Sequence, residues 1–128
     1  MDESILTSIK KLLGLTEDYT AFDDQLIMHI NSVILVLKQI GVCDTAYTVR
    51  DKTDTWSELL PSDKDFEAVK SYIGMKVRSL FDPPTTSVVA DSMNRAIAEL
   101  EWRLNAEAET EQKLSLIHIS EPTRLGMI

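Results

Sequence analysis

Apolar side chains recur every three or four residues along most of this chain, with glycine and proline falling mainly between the apolar stretches. This spacing places the apolar residues on one face of an α-helix, whereas a half-buried strand would alternate apolar and polar residues. The few glycines and prolines are typical helix breaks. The pattern therefore predicts an all-α fold, a small bundle of four to five helices with one short extended loop around residues 43–54.

The first two predicted helices end at glycines. An apolar stripe from Ile5 to Leu13 is followed by Gly14, and a longer stripe from Leu26 to Ile40 is followed by Gly41. The segment 20–23 fits a capping box, with Thr20 as the cap. Apolar residues off the longer stripe indicate that the second helix is central or is buried in an assembly.

The second half of the chain contains two more long stripes. Segments 55–58 and 62–65 both fit capping boxes, which open a short helix through Leu60 and a longer one from Phe66 to Leu80. Gly74 inside the longer helix costs about 1 kcal/mol relative to alanine, which indicates either a close helix contact there, the interpretation we favour, or simple tolerance of the glycine. Asp82-Pro83-Pro84 breaks the chain, and the last helix is predicted to start at Thr86 or Ser87 and to fray from Ala106.

The charge balance and residue counts exclude several classes of protein. The chain has 128 residues, one domain's worth, and a net charge of −8. So acidic a chain is unsuited to broad binding of the phosphate backbone, and its basic residues form no stripe that would read DNA. One cysteine excludes an intrachain disulfide, and no run of apolar residues approaches the length of a membrane span.

No constellation of residues predicts catalysis or a cofactor. His29 and Cys43 lie fourteen residues apart, about 21 Å along a continuous helix, which is beyond hydrogen-bond reach. The paired carboxylates fall at helix starts or on polar faces, and Asp51 and Asp54 are interpreted as turn formers. We therefore predict a protein that is not an enzyme and has no metal or cofactor.

The last fifteen residues do not continue the amphipathic pattern. Residues 114–124 read LSLIHISEPTR, which resembles the translation of a transposase-type sequencing-library adapter. We therefore divide the chain into a helical domain at 1–113 and a non-native tail at 114–128, for which we expect disorder. The alternative is a genuine short β-forming tail.

Several separate stretches resemble the small head–tail connector proteins of tailed bacteriophages and prophages, which are also described as head-completion or DNA-packaging adaptors. The most specific are the segment KVRSLFDPP and the segment ELEWRLN that follows it. The stretches that carry the resemblance are Phe22–Val33, Gln39–Val42, Asp51–Trp56, Tyr72–Pro84 and Glu99–Asn105.

The resemblance implies a non-enzymatic subunit that assembles into a homo-oligomeric ring beneath the portal protein. The ring would extend the DNA channel, with DNA as passing, non-specific cargo, and would receive a tail-side head-completion protein. The implied location is the head–tail junction of the virion, after assembly in the host cytoplasm and without a membrane. Positions in the family-like segments are the candidate interface residues: Tyr72, Arg78, Phe81, Asp82, Pro83, Pro84, Glu99, Trp102 and Arg103.

Two other interpretations remain open from the residues alone. One is a small acidic helical interaction or regulatory module, similar to an antitoxin. Trp102, which lies off the main stripe of its helix, packs either against a neighbouring helix of the same chain or, together with Arg103, against a partner. Another is an enzyme whose site contains only carboxylates. Portal, protease and capsid genes just upstream would favour the connector over the regulatory module.

Overall fold

A computed structural model describes residues 2–43, 47–60 and 64–127, with side chains described as far as residue 110. The described residues form five helices and no strand, so the predicted small all-α bundle is confirmed. The helices are α1 (Ile5–Leu12), α2 (Asp23–Gln39), α3 (Trp56–Leu59), α4 (Phe66–Phe81) and α5 (Ser87–Met127).

Helix α4 connects the other long helices. It packs against α1, α2 and α5, whereas α2 packs against α1 and α4. The sequence predicted that the second helix is central or is buried in an assembly. Within one chain α4 is the more central of the two, and burial of α2 in an assembly stays a prediction. A Cβ at Gly74 of α4 would lie 2.7 Å from Leu12 Cδ1, so the missing side chain lets the end of α1 approach α4 closely and confirms the predicted contact.

The core consists largely of the predicted apolar stripes. Residues on one face of each helix are fully buried, among them Ile9, Ile30, Val69 and Ile97. Three predicted stripe positions are instead about half exposed, Leu12 at 52%, Leu80 at 49% and Val89 at 50%. Leu80 lies in the last turn of α4 and Val89 in the first turn of α5, where neighbouring helices no longer cover them.

The helix ends follow the glycines more closely than the predicted caps. Gly14 and Gly41 adopt positive φ values of 79° and 89°, as expected where glycine ends a helix. The predicted Thr20 cap is wrong, because α2 begins at Asp23 and its cap position, Phe22, makes no side-chain hydrogen bond. An ion pair of 2.9 Å from Lys10 of α1 to Asp23 holds this end of α2 instead.

The other two capping predictions have different outcomes. Thr55 occupies the cap position of α3, as predicted, but its side chain makes no capping hydrogen bond to the backbone, and the helix ends one residue earlier, at Leu59. Asp65 occupies the cap position of α4 but makes no side-chain capping hydrogen bond, and residues 62 and 63 of the predicted box lie outside the described residues.

The loop before α3 is ordered by side chains instead of by a sheet. The amide of Asn31 on α2 donates to the carbonyl of Val49 at 3.0 Å and accepts from the Val49 N–H at 2.8 Å. Buried Asp54 accepts the N–H groups of Arg50 and Asp51 at 2.7 and 3.2 Å. The prediction of an extended edge or ordered loop is confirmed as an ordered loop over its described residues.

Helix α5 begins where the sequence predicted and continues further. It starts at Ser87, after the Asp82–Pro84 break, and its backbone remains helical through Met127. The predicted fraying from Ala106 is not observed, consistent with the strong helix propensity of the alanine and glutamate residues at 106–111. No helix among the described residues is both long enough and apolar enough to cross a membrane.

Candidate interaction surface

Four of the candidate interface residues gather at the corner between α4 and α5. Helix α4 ends at Phe81, and the N–H of Asp82 donates to the carbonyl of Arg78 at 2.8 Å. The side chains of Asp82 and Pro83 are exposed, and Pro84 is half-buried. We call Phe81, Asp82, Pro83 and Pro84 the corner surface.

Two aromatic residues extend the corner surface toward the start of α2. The rings of Phe22 and Phe81 meet edge to face with centroids 5.1 Å apart, and the ring of Tyr19 lies 5.7 Å from that of Phe22. Tyr19 and Phe22 are 46% and 37% exposed. This apolar surface was missed at the sequence level, although two aromatic residues three apart before a helix could have drawn attention to it.

Three further candidates form a second exposed group on α5. Trp102 is 70% exposed, and the neighbouring Arg103 and Glu99, four residues apart on the helix, form an ion pair of 2.6 Å. Glu99 lies twelve residues beyond Ser87, about 18 Å along the helix axis. The structure therefore does not join this group with the corner surface.

Trp102 borders an open groove between the helices. The groove has a volume of about 440 Å³ and is lined by Ile40 after α2, Lys76 and Ser79 on α4, and Asn105 on α5, among others. An exposed indole beside a groove with both apolar and polar walls is the kind of feature that anchors protein partners. The groove makes Trp102 the strongest single candidate among the predicted positions.

Arg78 lies on a different side of α4. It is exposed and borders a groove of about 430 Å³, whose lining includes Leu12, Gly74 and Met93. This groove lies between α1 and α5, so Arg78 presents a positive charge beside apolar surface.

Tyr72 is placed in the core and not on a surface. It is fully buried, and its hydroxyl donates a hydrogen bond of 3.0 Å to Glu101 Oε2 on α5. Burial, followed by the bond to Glu101 and its negative charge, raises the pKa of Tyr72 above its ordinary value. The residue joins α4 to α5 and offers no surface to a partner in this fold.

A polar cluster beside α3 was predicted only as turn chemistry. The Tyr47 hydroxyl lies 2.7 Å from Asp54 Oδ1 and 2.8 Å from Glu58 Oε2. Hydrogen bonds from Tyr47 and from the Arg50 N–H lower the pKa of Asp54. Because Asp54 also holds the loop backbone, we assign this cluster to loop structure. The described residues contain no His, Cys, Asp and Glu grouping suited to a metal ion.

Comparisons with known proteins identify a family for this chain. No curated protein and no solved structure matches the chain. A family described as phage connector protein matches residues 5–111, which span α1 to α4 and the side-chain-defined part of α5. The match covers most of the chain and ends before the segment 114–128, and we conclude that the chain belongs to the phage connector protein family.

Proposed function

We propose that this chain is a subunit of a head–tail connector ring that docks on the portal protein, extends the DNA channel and receives a tail-side completion protein. The observation that carries the proposal is the family match over residues 5–111. Phage connectors are structural assembly proteins, and the corner surface and Trp102 supply exposed groups for contacts.

The distribution of exposed groups supports a subunit with more than one partner. The corner surface precedes α5, whereas Trp102 lies fifteen residues beyond the start of α5, about 22 Å along the helix axis. The two differ in character, because the first is aromatic and proline-rich and the second is built around an indole and polar side chains. A ring subunit needs unlike surfaces for its two neighbours, and a portal contact requires another. We assign the corner surface to the portal contact.

The net charge of −8 supports a channel through which DNA slides. Carboxylates on a channel wall repel the phosphate backbone and prevent sticking. We propose that exposed acidic residues, with Glu17 and Asp18 before α2 as the first to test, line this passage. Changing both to lysine in the phage should slow DNA ejection, and unchanged retention and ejection would contradict the lining role.

Co-purification with the portal protein encoded in the same genome tests the docking. We expect the chain to bind assembled portal and the paired change Phe22→Ala with Asp82→Ala to weaken binding. Lys52→Ala, an exposed position in the loop before α3, is the control and should bind as the wild type does. Absence of binding by the wild-type chain would contradict the connector role, and equal binding by all variants would contradict the corner surface.

A further inference from the structure

The outer face of α2 carries an apolar site that no described element covers. Leu35 is 55% exposed and Met28 is 58% exposed, although both lie on a helix whose opposite face is fully buried. Beside Leu35 is an open cavity of about 220 Å³, whose lining includes Asn31, Lys38 and Tyr47. The Asn31 amide is held by its two hydrogen bonds to the backbone of Val49, so it is fixed in place and is not free to fold over this site.

The outer face of α5 carries a matching projection. Trp102 is 70% exposed, whereas Ile97 and Leu104 on the same helix are buried. An indole that projects from one helix is suited to fill a gap among residues three, four and seven apart on another helix, as a knob fills a hole. Met28, Asn31 and Leu35 have that spacing, with Asn31 between the two exposed apolar side chains.

Charged residues follow the same spacing on both faces, with opposite signs. On α5, Arg95 and Glu109 lie seven residues before and seven after Trp102. On α2, Asp24 and Lys38 lie seven residues before and seven after Asn31. Seven residues span about 10.5 Å of helix, so the charges stand at equal distances from the centre of each face.

This spacing selects one orientation. With the two helices parallel and Trp102 over Asn31, Arg95 meets Asp24 and Glu109 meets Lys38. With the helices antiparallel, both pairs would place like charges together, which is unfavourable. All four charged side chains are exposed, and none forms an ion pair with another described residue.

We propose that Trp102 on α5 of one subunit docks into the α2 site of a second copy of this chain, in a parallel, head-to-tail contact. The occupant is a second copy because both complementary faces belong to one chain, and because α2 and α5 share no extensive contact within the described part of a single chain. Each bound chain leaves one α2 face and one α5 face open, so the contact can propagate and close into a ring.

Disulfide cross-linking tests the register directly. Asp24→Cys, Lys38→Cys, Arg95→Cys and Glu109→Cys are prepared in the full chain, mixed in pairs and mildly oxidised. A disulfide requires Cα atoms within about 7 Å. We expect covalent dimers from the pairs 24 with 95 and 38 with 109, and none from 24 with 109 or 38 with 95. The wild-type chain is the control for the buried Cys43.

A second measurement tests the energetic centre of the contact by sedimentation velocity. Trp102→Ala should weaken self-association about 30-fold, the loss expected at an interface hot spot. Arg95→Asp should also weaken it, and adding Asp24→Arg should restore it. Leu80→Asp, at an apolar position on α4 that is 49% exposed and outside both faces, is the matched control and should change nothing.

Two outcomes would overturn the proposal. The first is a chain that self-associates but forms cross-links at the antiparallel pairs, or whose self-association is not weakened by Trp102→Ala. The second is a wild-type chain that stays monomeric both alone and on the portal. Because the inference rests on the proposed connector role, portal binding is measured separately. A chain that binds portal but assembles differently contradicts only the α2–α5 contact, whereas absence of portal binding contradicts the connector role.

Discussion

The hydroxyl of Tyr72, fully buried on α4, donates a hydrogen bond of 3.0 Å to Glu101 Oε2 on α5. This bond joins the helix that carries Trp102 to the helix that contacts all the other long helices. The position of the α5 surface relative to the body therefore depends on a contact made inside the domain.

Tyr72→Phe should lower the free energy of unfolding by about 1 kcal/mol, the usual net value of one hydrogen bond. Phenylalanine fills nearly the same volume, so packing is retained, and water can reach the partly exposed Glu101. Urea unfolding followed by circular dichroism measures the change. Glu101→Gln retains an acceptor and is the control. If both variants lost the same amount of unfolding free energy, and more than about 1 kcal/mol, Tyr72 would do more than make this one hydrogen bond.

Asp54 should make stability depend on pH in the acid range. Hydrogen bonds from Tyr47 and from the Arg50 N–H lower its folded pKa below the ordinary value of 3.8. A depressed pKa contributes stability that is fully present above the unfolded value and is lost as pH falls through the folded value. We therefore expect the free energy of unfolding to fall as the pH drops below about 4.

Asp54→Asn isolates this contribution. The amide offers a single acceptor oxygen to several donors, so we expect a loss of about 2 kcal/mol at neutral pH and a flatter acid limb. Urea unfolding at a series of pH values measures both effects. Asp18→Asn, at an exposed site, should follow the wild-type curve. If the stability of Asp54→Asn falls at acid pH as steeply as that of the wild type, other carboxylates determine this pH dependence.

The contact between Gly74 and Leu12 should appear as coupling between two substitutions. Alanine at 74 gains about 1 kcal/mol of helix propensity. In the wild-type chain its Cβ would displace the Leu12 side chain, which is 52% exposed and able to move, so we expect little net change. In a Leu12→Ala background the full gain should appear. A double-mutant cycle measures the difference, and identical effects in both backgrounds would exclude the contact.

The two tryptophans should differ sharply in their effect on stability. Trp102 is 70% exposed, so Trp102→Ala should change the free energy of unfolding by less than about 0.5 kcal/mol. Trp56 is fully buried, and its indole N–H donates to Ser8 Oγ at 3.0 Å, so Trp56→Ala should cost about 3 kcal/mol or more. Thermal and urea unfolding measure both. A large loss from Trp102→Ala would mean that this side chain supports the fold.

The segment 114–128 should be dispensable for the domain. A chain that ends at Lys113 should unfold with the same free energy and bind portal equally well, because the family match ends at residue 111. Denaturant unfolding and portal co-purification compare the two chains. Reading the raw nucleotide sequence across codon 114 tests the adapter interpretation itself, which an uninterrupted genomic sequence would contradict.

The apolar stripes and glycines predicted the fold because they act locally. Spacing of three and four residues identified the helices, and positive φ at Gly14 and Gly41 ended two of them. The Thr20 cap failed because a distant residue, Lys10, holds the start of α2 through its ion pair with Asp23. A local pattern contains no information about such a contact.

Family-like segments mix packing residues with surface residues, so they identify exposed positions less directly than apolar stripes identify helices. Tyr72 belongs to one of these segments, yet its place between Val69 and Ile73 on the buried face of α4 makes it a core residue. That helical spacing was present in the sequence and could have identified it. The closeness of Phe22 to Phe81 depends on how α2 meets α4, which no spacing along the chain reveals.

The paired hydrogen bonds between Asn31 and Val49 affect how this chain meets other proteins. A side-chain amide occupies both polar groups of one backbone unit, much as a neighbouring strand would. An extended loop with free backbone groups is a template for strand addition and aggregation. By saturating Val49 from a helix, the fold removes that template at this residue, so any contact with another protein here is left to side chains.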